Sequence, residues 1–175
     1  AFPTGVSTIA HVVAVSESFN QANVRRSTAE GVRDFERIIA LRDTNSEWGE
    51  IKLMSYVSTA FGCSIEGIIN TDAVVKLVSE LAERGAQTIF LSDTVGYANP
   101  TQVRTLFKRC KAEVGDIPLG GHFHDTRGLG LANFTAALEE DIRIFDSSMA
   151  GLGGCPYAPG ATGNIVTEDL VFMLE

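Results

Sequence analysis

Two histidines on either side of a phenylalanine are the strongest candidates for chemistry in this sequence. His122, Phe123 and His124 end an apolar run that predicts a strand. Because alternate residues of a strand point to the same side, both imidazoles can bind one metal ion while Phe123 packs on the opposite face. Asp125 could then orient one of these histidines. The spacing alone leaves open that they are ordinary core or surface histidines, but a structural zinc site is disfavoured because Cys-x-x-Cys is absent from the sequence.

A cysteine in a long loop is the second candidate. Cys155 lies in GLGGCPYAPGATGN (151–164), whose glycines and prolines predict a loop without a packed interior of its own. Long loops after strands often act as lids or binding loops, and an accessible thiol is open to reaction. The alternative is a cysteine that is merely tolerated in a turn. Cys110 is predicted to be a packing residue within a helix. Cys63 lies in a loop after a strand and could be either a packing residue or a reactive thiol.

Several carboxylates and amides also follow predicted strands or open predicted helices. Asp93 ends a strand and could be a general base, a partner of a metal ligand or a helix cap. Asn164 and Glu168 open the last helix, where Asn164 is either an N-cap or a ligand for Mg²⁺ or Mn²⁺ through its amide oxygen. Asn23 and Arg25 follow the first strand, in a solvent-facing loop or a stretch that contacts substrate.

Alternating strands and helices must position these side chains. Short Val-, Ile- and Leu-rich runs predict buried strands, and apolar residues at helical spacing predict helices. The predicted strands are 9–16, 51–57, 88–91, 119–124 and 143–147, and the predicted helices are 27–41, 72–84, 100–112, 128–140 and 164–175. Helix-end signals support these bounds: a capping box at Ser27 and Glu30, Asp72 as a cap, Gly85 as a stop and Pro100 as a first residue.

Five βα units of this kind predict an α/β fold with a parallel sheet. A doubly wound sheet and a (β/α)₈ TIM barrel both fit the periodicity. The barrel is favoured because Ser16, Asp93 and the two histidines all stand at strand C-termini, where barrel active sites lie. A dinucleotide-binding fold gains no support, since Gly-x-Gly-x-x-Gly does not follow the first strand. Because eight units need about 250 residues, we expect an incomplete barrel of about five units, forming a single domain over residues 1–175.

The composition disfavours several classes of function. The formal net charge is −8, from 14 basic and 22 acidic residues, whereas sequence-independent nucleic-acid binders need a basic surface. No apolar run reaches the roughly 18 residues of a membrane span, and the first residues lack the features of a signal peptide. Three widely spaced cysteines argue for a reducing compartment rather than a disulfide scaffold. We therefore expect no nucleic-acid and no membrane partner.

Motifs along the whole chain resemble the hydroxymethylglutaryl-CoA lyase family. The matching segments are SESFNQANV (16–24), YVSTAFGCSIEG (56–67), LSDTVGYANP (91–100), GHFHDTRGLGLAN (121–133) and DSSMAGLGGCPYAPGATGNIVTEDLVFML (146–174). The cysteine-bearing glycine loop is the most specific of them. The His-x-His-Asp element is shared with a wider group of metal-dependent barrels, including isopropylmalate and homocitrate synthases and certain aldolases, which typically lack a Gly-Gly-Cys-Pro loop.

The resemblance implies a role for each matching residue. The ligands of Mg²⁺ or Mn²⁺ would be His122, His124 and Asn164. The catalytic residues would be Cys155, Asp93, Glu168 and His122, with His122 also a candidate for the general base. Asn23 would contact the thioester or coenzyme A portion of the substrate. Arg127 occupies a position where relatives often have tyrosine, which leaves the acyl specificity open.

The implied reaction is divalent-metal-dependent retro-Claisen cleavage of 3-hydroxy-3-methylglutaryl-CoA to acetyl-CoA and acetoacetate, as in leucine catabolism and ketone-body formation. Three alternatives stay open: a lyase for a longer branched 3-hydroxyglutaryl-CoA, an acyl-CoA condensing enzyme, and an inactive metal- or CoA-binding fragment. The resemblance also implies a homodimer at full length, located in the cytoplasm of a bacterium or the mitochondrial matrix of a eukaryote.

By the same resemblance, the first three βα units of the family's barrel have no counterpart here. The first of them normally carries an Arg-Asp pair and the second a Glu. Arg42 and Asp43 form such a pair, but at a predicted helix end, so the role is not transferred. We therefore expect residues 1–175 to be the C-terminal part of a TIM-barrel lyase domain, and to be poorly stable or associated when alone because two sheet edges stay open.

Overall fold

Five parallel strands form the centre of the structure, a computed structural model that describes residues 1–158 and 160–175. Within those residues the strands are β1 (Thr8–Ala14), β2 (Lys52–Ser58), β3 (Thr88–Asp93), β4 (Leu119–Phe123) and β5 (Ile144–Phe145). They pair in chain order, β1-β2-β3-β4-β5, and every pairing is parallel. A doubly wound sheet would reverse its strand order, so this order selects the barrel over that alternative. The predicted incomplete barrel is confirmed, and the sheet stays unclosed.

Helices connect the strands and cover one face of the sheet. Over the same residues they are α1 (Glu17–Val24), α2 (Thr28–Asp43), α3 (Thr71–Glu83), α4 (Pro100–Val114), α5 (Gly130–Glu139) and α6 (Thr167–Leu174). Single 3₁₀ turns occur at Phe2–Thr4, Ser46–Trp48 and Met149–Gly151. Among the described residues, no helix combines the length and apolar character that crossing a bilayer requires.

Local capping chemistry explains where several helices begin. The Ser27 hydroxyl accepts from the backbone N–H of Glu30, whose carboxylate accepts from the N–H of Ser27, so the predicted capping box is confirmed. Pro100 is the first residue of α4, and Asn99 caps that helix. The predicted cap at Asp72 is wrong, because Asn70 accepts from the Asp72 N–H at 2.8 Å instead.

Two other expectations about elements are corrected. The polar stretch after β1 is not a loop but helix α1, in which Ser16 caps the N–H of Phe19 and Asn20 accepts from the Ala14 N–H at 2.8 Å. The last helix begins at Thr167 rather than at residue 164. Asn164 therefore is not its N-cap, and its backbone instead forms an isolated antiparallel bridge with His124.

The two faces of the sheet have different surroundings. Side chains such as Val13, Val57 and Ile89 are fully buried and join the helices in one hydrophobic core. On the opposite face a cross-strand row pairs Val12 with Tyr56, Tyr56 with Phe90, Phe90 with Gly120 and Gly120 with Ile144. Both ends of this row are exposed, Val12 by 43% and Ile144 by 37%. The inner face of the partial barrel is thus the face that carries His122, two residues beyond Gly120.

Candidate active site

His122 is held by a hydrogen-bonded chain that spans three strands. Its Nδ1 lies 2.7 Å from Asp146 Oδ1, and the other oxygen of Asp146 accepts from the Tyr56 hydroxyl at 2.9 Å. The Tyr56 ring stacks on Phe90, with 4.4 Å between the ring centroids. When Nδ1 donates to this carboxylate, the lone pair of the neutral imidazole is on Nε2. The chain therefore fixes both the tautomer and the orientation of His122.

His124 lies next to His122 and is buried with an unused nitrogen. The two ring centroids are 5.1 Å apart. Its Nδ1 is fully buried and has no hydrogen-bond partner among the described residues. Burial, reinforced by the charge of His122, lowers the pKa of His124 to about 4, so that imidazole is neutral at physiological pH. A neutral, buried imidazole with an unused nitrogen has the protonation state that a metal ligand requires.

Asn164 is oriented by the start of the glycine loop. Its amide nitrogen donates to the carbonyl oxygens of Leu152 at 2.8 Å and Gly153 at 3.2 Å, which commits the nitrogen and leaves Oδ1 available. A Cβ at Gly153 would lie 2.7 Å from that nitrogen, so the arrangement needs glycine there.

Two imidazoles and an amide oxygen fit a divalent cation that accepts mixed nitrogen and oxygen ligands. Histidine, cysteine, aspartate and glutamate alone supply no group of three for a metal within residues 1–158 and 160–175. A cation held here by the chain's own side chains would therefore depend on Asn164.

Asp93 ends β3 with one carboxylate oxygen unused. Its Oδ1 accepts from the backbone N–H groups of Tyr97 at 2.7 Å and Ala98 at 3.1 Å, while the buried Oδ2 has no partner in the described part of the chain. Burial raises the pKa of Asp93 to about 6, although the two N–H groups and the charges of His122 and Arg127 oppose the rise. Asp93 holds the turn after β3 rather than capping α4, and its free oxygen is suited to proton transfer near neutral pH.

The glycine loop that carries Cys155 reaches back to α1. Cys155 is half-buried and packs with Tyr157 against a small cluster of Ala14, Phe19 and Cys63. The Tyr157 hydroxyl donates to the Ala22 carbonyl oxygen at 2.7 Å, and its ring meets Phe19 edge-on. The predicted freely accessible thiol is therefore partly covered. Pro159, in the same predicted loop, lies outside the described residues.

The other two cysteines are buried. Cys63 has its sulfur 3.2 Å from the Ser16 hydroxyl and accepts from the backbone N–H groups of Ile65 and Glu66. Cys110 lies inside α4 against the core, as predicted, and burial raises the pKa of its thiol to about 12.

Three predicted site residues make no hydrogen bond to either histidine in the described structure. Glu168 is exposed, and its carboxylate accepts from the Ala150 N–H at 3.0 Å, a hydrogen bond that lowers the pKa of Glu168. Asn23 is exposed near the end of α1, one residue beyond the carbonyl that Tyr157 contacts. Asp125 does not orient either histidine, because its Oδ1 accepts from the Gly130 N–H at the start of α5. That function falls to Asp146, which sequence reasoning missed although, like Asp93, it comes at the C-terminal end of a strand.

Comparisons with known proteins show which family this chain is similar to. A family model described as HMGL-like matches residues 1–175. The hydroxymethylglutaryl-CoA lyase of Pseudomonas mevalonii is 42% identical over 171 residues, covering 98% of this chain and 56% of that protein. The crystal structure of hydroxymethylglutaryl-CoA lyase from Pseudomonas aeruginosa superposes with a TM-score of 0.90 at 37% identity, covering 98% of this chain and 56% of that one.

A second solved structure carries ligands. It is an HMG-CoA lyase from Acinetobacter baumannii in complex with coenzyme A and 3-methylmalate, with a TM-score of 0.87 and 41% identity over 95% of this chain and 53% of that one. The chain thus spans slightly more than half the length of the relatives it matches. On the family match along its entire length, the chain belongs to the HMGL-like family.

Proposed function

We propose that the protein acts in divalent-metal-dependent cleavage of 3-hydroxy-3-methylglutaryl-CoA to acetyl-CoA and acetoacetate. The observation that carries this proposal is the pair of neighbouring histidines at the end of β4, with Asn164 bridged to His124 through the backbone. Asp93 at the end of β3 and the Cys155 loop lie at the same end of the sheet. The names of the relatives support it, as does the coenzyme A complex of one of them. One relative, 37% identical over 175 residues, is named as a lyase for both 3-hydroxy-3-isohexenylglutaryl-CoA and hydroxymethylglutaryl-CoA, so the longer-chain lyase stays an alternative. The condensing enzyme has no such support.

The metal would be held by His122 through Nε2, by His124 and by the Asn164 oxygen. When bound, Mg²⁺ or Mn²⁺ supplies Lewis-acid chemistry that lowers the pKa of the substrate hydroxyl. The protein contributes the orientation of the ligands, through Asp146 for one histidine and through the loop carbonyls for Asn164.

Proton removal from the tertiary hydroxyl comes before the C2–C3 bond breaks. Asp93 is suited to take this proton, because its buried Oδ2 has no partner in the described residues and its pKa of about 6 leaves it ionised at neutral pH. His122 is the other candidate base. Breaking the bond then yields acetoacetate and the enolate of acetyl-CoA.

Cys155 would complete the reaction as an acid. The enolate carbon must gain a proton to become the methyl group of acetyl-CoA, and the Cys155 thiol can supply it when the loop covers the strand ends. The contact of Tyr157 with α1 holds the loop over this edge and excludes water from the enolate. In this role Cys155 donates a proton and is not an acyl nucleophile.

Cys155→Ser tests this role. We expect turnover to fall by several orders of magnitude, because a serine hydroxyl is a far weaker acid, while Mn²⁺ affinity measured by calorimetry stays unchanged. Thr162→Ala, an exposed position in the same loop, serves as the control for loop disturbance. An equal loss of metal binding in Cys155→Ser would contradict the assigned role. A wild-type protein that binds Mn²⁺ without cleaving the thioester would instead support the alternative of an inactive binding fragment.

The remaining expectations extend this proposal. Asn23 would contact the coenzyme A portion, and Glu168 would act as an active-site carboxylate through the 3₁₀ turn it holds. A homodimer and a location in the cytoplasm or the mitochondrial matrix stay predictions for the whole protein.

A further inference from the structure

Arg127 is exposed on the turn that follows β4 and makes two contacts with the turn that follows β3. Its Nη1 donates to the Gly96 carbonyl oxygen at 2.9 Å, and its guanidinium carbon lies 4.0 Å from the centroid of the Tyr97 ring. One side of Tyr97 lies against Gly62, where an added Cβ would come 3.0 Å from the Tyr97 Cβ, and the side chain is otherwise 37% exposed. A hydrogen bond and a cation–π contact therefore orient the exposed guanidinium in this structure.

The positive charge of this arginine is not neutralised by the described part of the chain. None of the ion pairs formed within residues 1–158 and 160–175 includes Arg127. Its Nε and Nη2 likewise donate no hydrogen bond to those residues. A guanidinium has five N–H donors in a planar fork that matches carboxylate and phosphate oxygens, so most of that fork is unused here.

A cavity opens beside this unused fork. It has a volume of about 490 Å³ and is lined by Ser64, Tyr97, Thr126, Arg127, Tyr157 and Ala158. These residues come from the loops after β2, β3 and β4 and from the glycine loop. None of the described lining residues is a carboxylate, and the buried hydroxyl oxygen of Thr126 has no partner in the described structure. The size is within the range of small-molecule sites, and among the described lining residues the charged one is Arg127.

The cavity adjoins the proposed active site without including its histidines or Cys155. Arg127 follows His124 by three residues, and Tyr157 follows Cys155 by two. The turns after β3 and β4 touch so closely that a Cβ at Gly96 would clash with Thr126. A ligand whose reacting end lies at the histidines could therefore place another part in this cavity.

We propose that the cavity is an anion-binding subsite in which Arg127 binds a carboxylate or phosphate of the substrate. The assignment of that anion to an acyl-CoA rests on the proposed function. Both groups accept two parallel N–H bonds from a guanidinium.

Calorimetric binding to the wild type, Arg127→Gln and Arg127→Lys tests the proposal. Three probes separate the sources of the anion: 3-hydroxy-3-methylglutarate offers carboxylates, coenzyme A offers phosphates, and pantetheine offers neither. We expect Arg127→Gln to weaken binding of one anionic probe by about tenfold or more, as the loss of a charge-assisted bidentate contact implies. Arg127→Lys should recover only part of the loss, because an ammonium lacks the planar fork. Pantetheine should bind all three proteins equally.

Arg33→Gln provides the matched control, since Arg33 is exposed on α2 and makes no ion pair within the described residues. Equal binding of both anionic probes to the wild type and to Arg127→Gln would overturn the proposal, and so would a wild type that binds neither. The outcome is separable from the proposed function. If the wild type has no lyase activity but Arg127→Gln still binds the anion more weakly than the wild type does, the proposed reaction is refuted and the subsite stands. If the wild type is active and Arg127→Gln binds the anions as the wild type does, the subsite is refuted and the proposed reaction stands.

Discussion

At the scale of single residues, Asp146 determines which ring nitrogen of His122 is available to a ligand. The carboxylate accepts a hydrogen bond from Nδ1 at 2.7 Å and a second one from the Tyr56 hydroxyl at 2.9 Å. Burial, with the neighbouring Asp146 charge, raises the pKa of Tyr56, so the phenol keeps the proton that it donates. Without this pair, His122 could rotate or change tautomer.

Asp146→Asn is predicted to weaken Mn²⁺ binding by about 10- to 100-fold, the usual cost of losing a partner behind a metal-ligating histidine. The neutral amide makes the imidazole a poorer donor and permits the other tautomer. Calorimetry measures the affinity, and nitrogen NMR of the metal-free protein reports the His122 tautomer. Asp116→Asn, an exposed aspartate away from the site, is the control. Unchanged affinity together with an unchanged tautomer would refute the positioning role.

Asp93 is predicted to make stability depend on pH in the metal-free protein. The pKa of Asp93 is about 6 in the folded protein, against 3.8 for an unperturbed aspartate, so the folded state binds the proton more tightly than the unfolded state. The resulting stabilisation is complete below pH 3.8 and is lost as the pH rises through about 6, amounting to roughly 2–3 kcal/mol. Asp93→Asn should therefore be more stable than the wild type at pH 7 and lack this step in urea titrations run from pH 4 to 8. The prediction would be contradicted if the free energy of unfolding of the wild type rose between pH 4 and pH 8 and Asp93→Asn showed the same change.

The same strand geometry explains one correct and one wrong prediction. Alternation along β4 correctly placed the rings of His122 and His124 near each other. It also directs Asp125 to the opposite side, where that carboxylate holds the Gly130 N–H. Sequence proximity favoured Asp125 as the histidine partner, whereas the true partner is 24 residues further along the chain. Such a pairing depends on strand register, and β5 has only two residues from which to infer it.

At the scale of secondary structure elements, Gly120 allows the inner face of the sheet to pack. A Cβ at this position would lie 2.7 Å from the Phe90 ring, and Phe90 is buried and stacked on Tyr56. The ring thus has a neighbour on each side along the cross-strand row. The stack of Tyr56 on Phe90, which supports Asp146, therefore depends on the lack of a side chain at Gly120 on the neighbouring strand.

Gly120→Ala is predicted to destabilise the fold by about 1–3 kcal/mol, the usual cost of overpacking a core. It should also weaken Mn²⁺ binding, because displacement of Phe90 moves Tyr56 and then Asp146. Urea unfolding and calorimetry measure the two effects. Gly49→Ala has room for its Cβ and a right-handed backbone, and should change stability by no more than about 0.5 kcal/mol. Equal free energies of unfolding for the two variants would contradict the prediction, because Phe90 could then move away from the added Cβ without destabilising the fold.

Most elements could be predicted from periodicity and capping residues, and the exceptions have physical causes. Helix α1 was missed because its eight residues include few apolar ones, and its start depends on contacts of Ser16 and Asn20 with neighbouring backbone. Asn164 resembled an N-cap because asparagine is common at that position. Its role in the bridge to His124 depends on a contact that spans 40 residues, which no local pattern encodes.

At the scale of the whole molecule, the sheet has two unpaired edges and unshielded apolar surface. β1 and β5 each pair on one side only within the described structure. Besides Val12 and Ile144 on the inner face, Phe172 of α6 is 79% exposed. Unpaired strand edges beside apolar surface promote pairing with another chain.

We therefore predict that the 175-residue chain self-associates at micromolar concentration, as light scattering after gel filtration would show. Val12→Lys places a charge beside the β1 edge and should shift the population towards monomer. Val24→Lys changes a comparably exposed valine at the end of α1 and should not. A wild-type monomer with one cooperative unfolding transition would contradict the prediction.

The contact between Tyr157 and Ala22 also bears on the order in which the molecule assembles. These residues are separated by 135 positions, so closing this contact early would carry the entropic cost of a very long loop. The strands and their local crossovers can form first from much shorter closures. The loop would then dock last and detach first, so that the surroundings of Cys155 exist only in chains whose folding is otherwise complete. The proton donor would thus be assembled only after the two histidines at the end of β4, and an incompletely folded chain would position those histidines before it could complete a turnover.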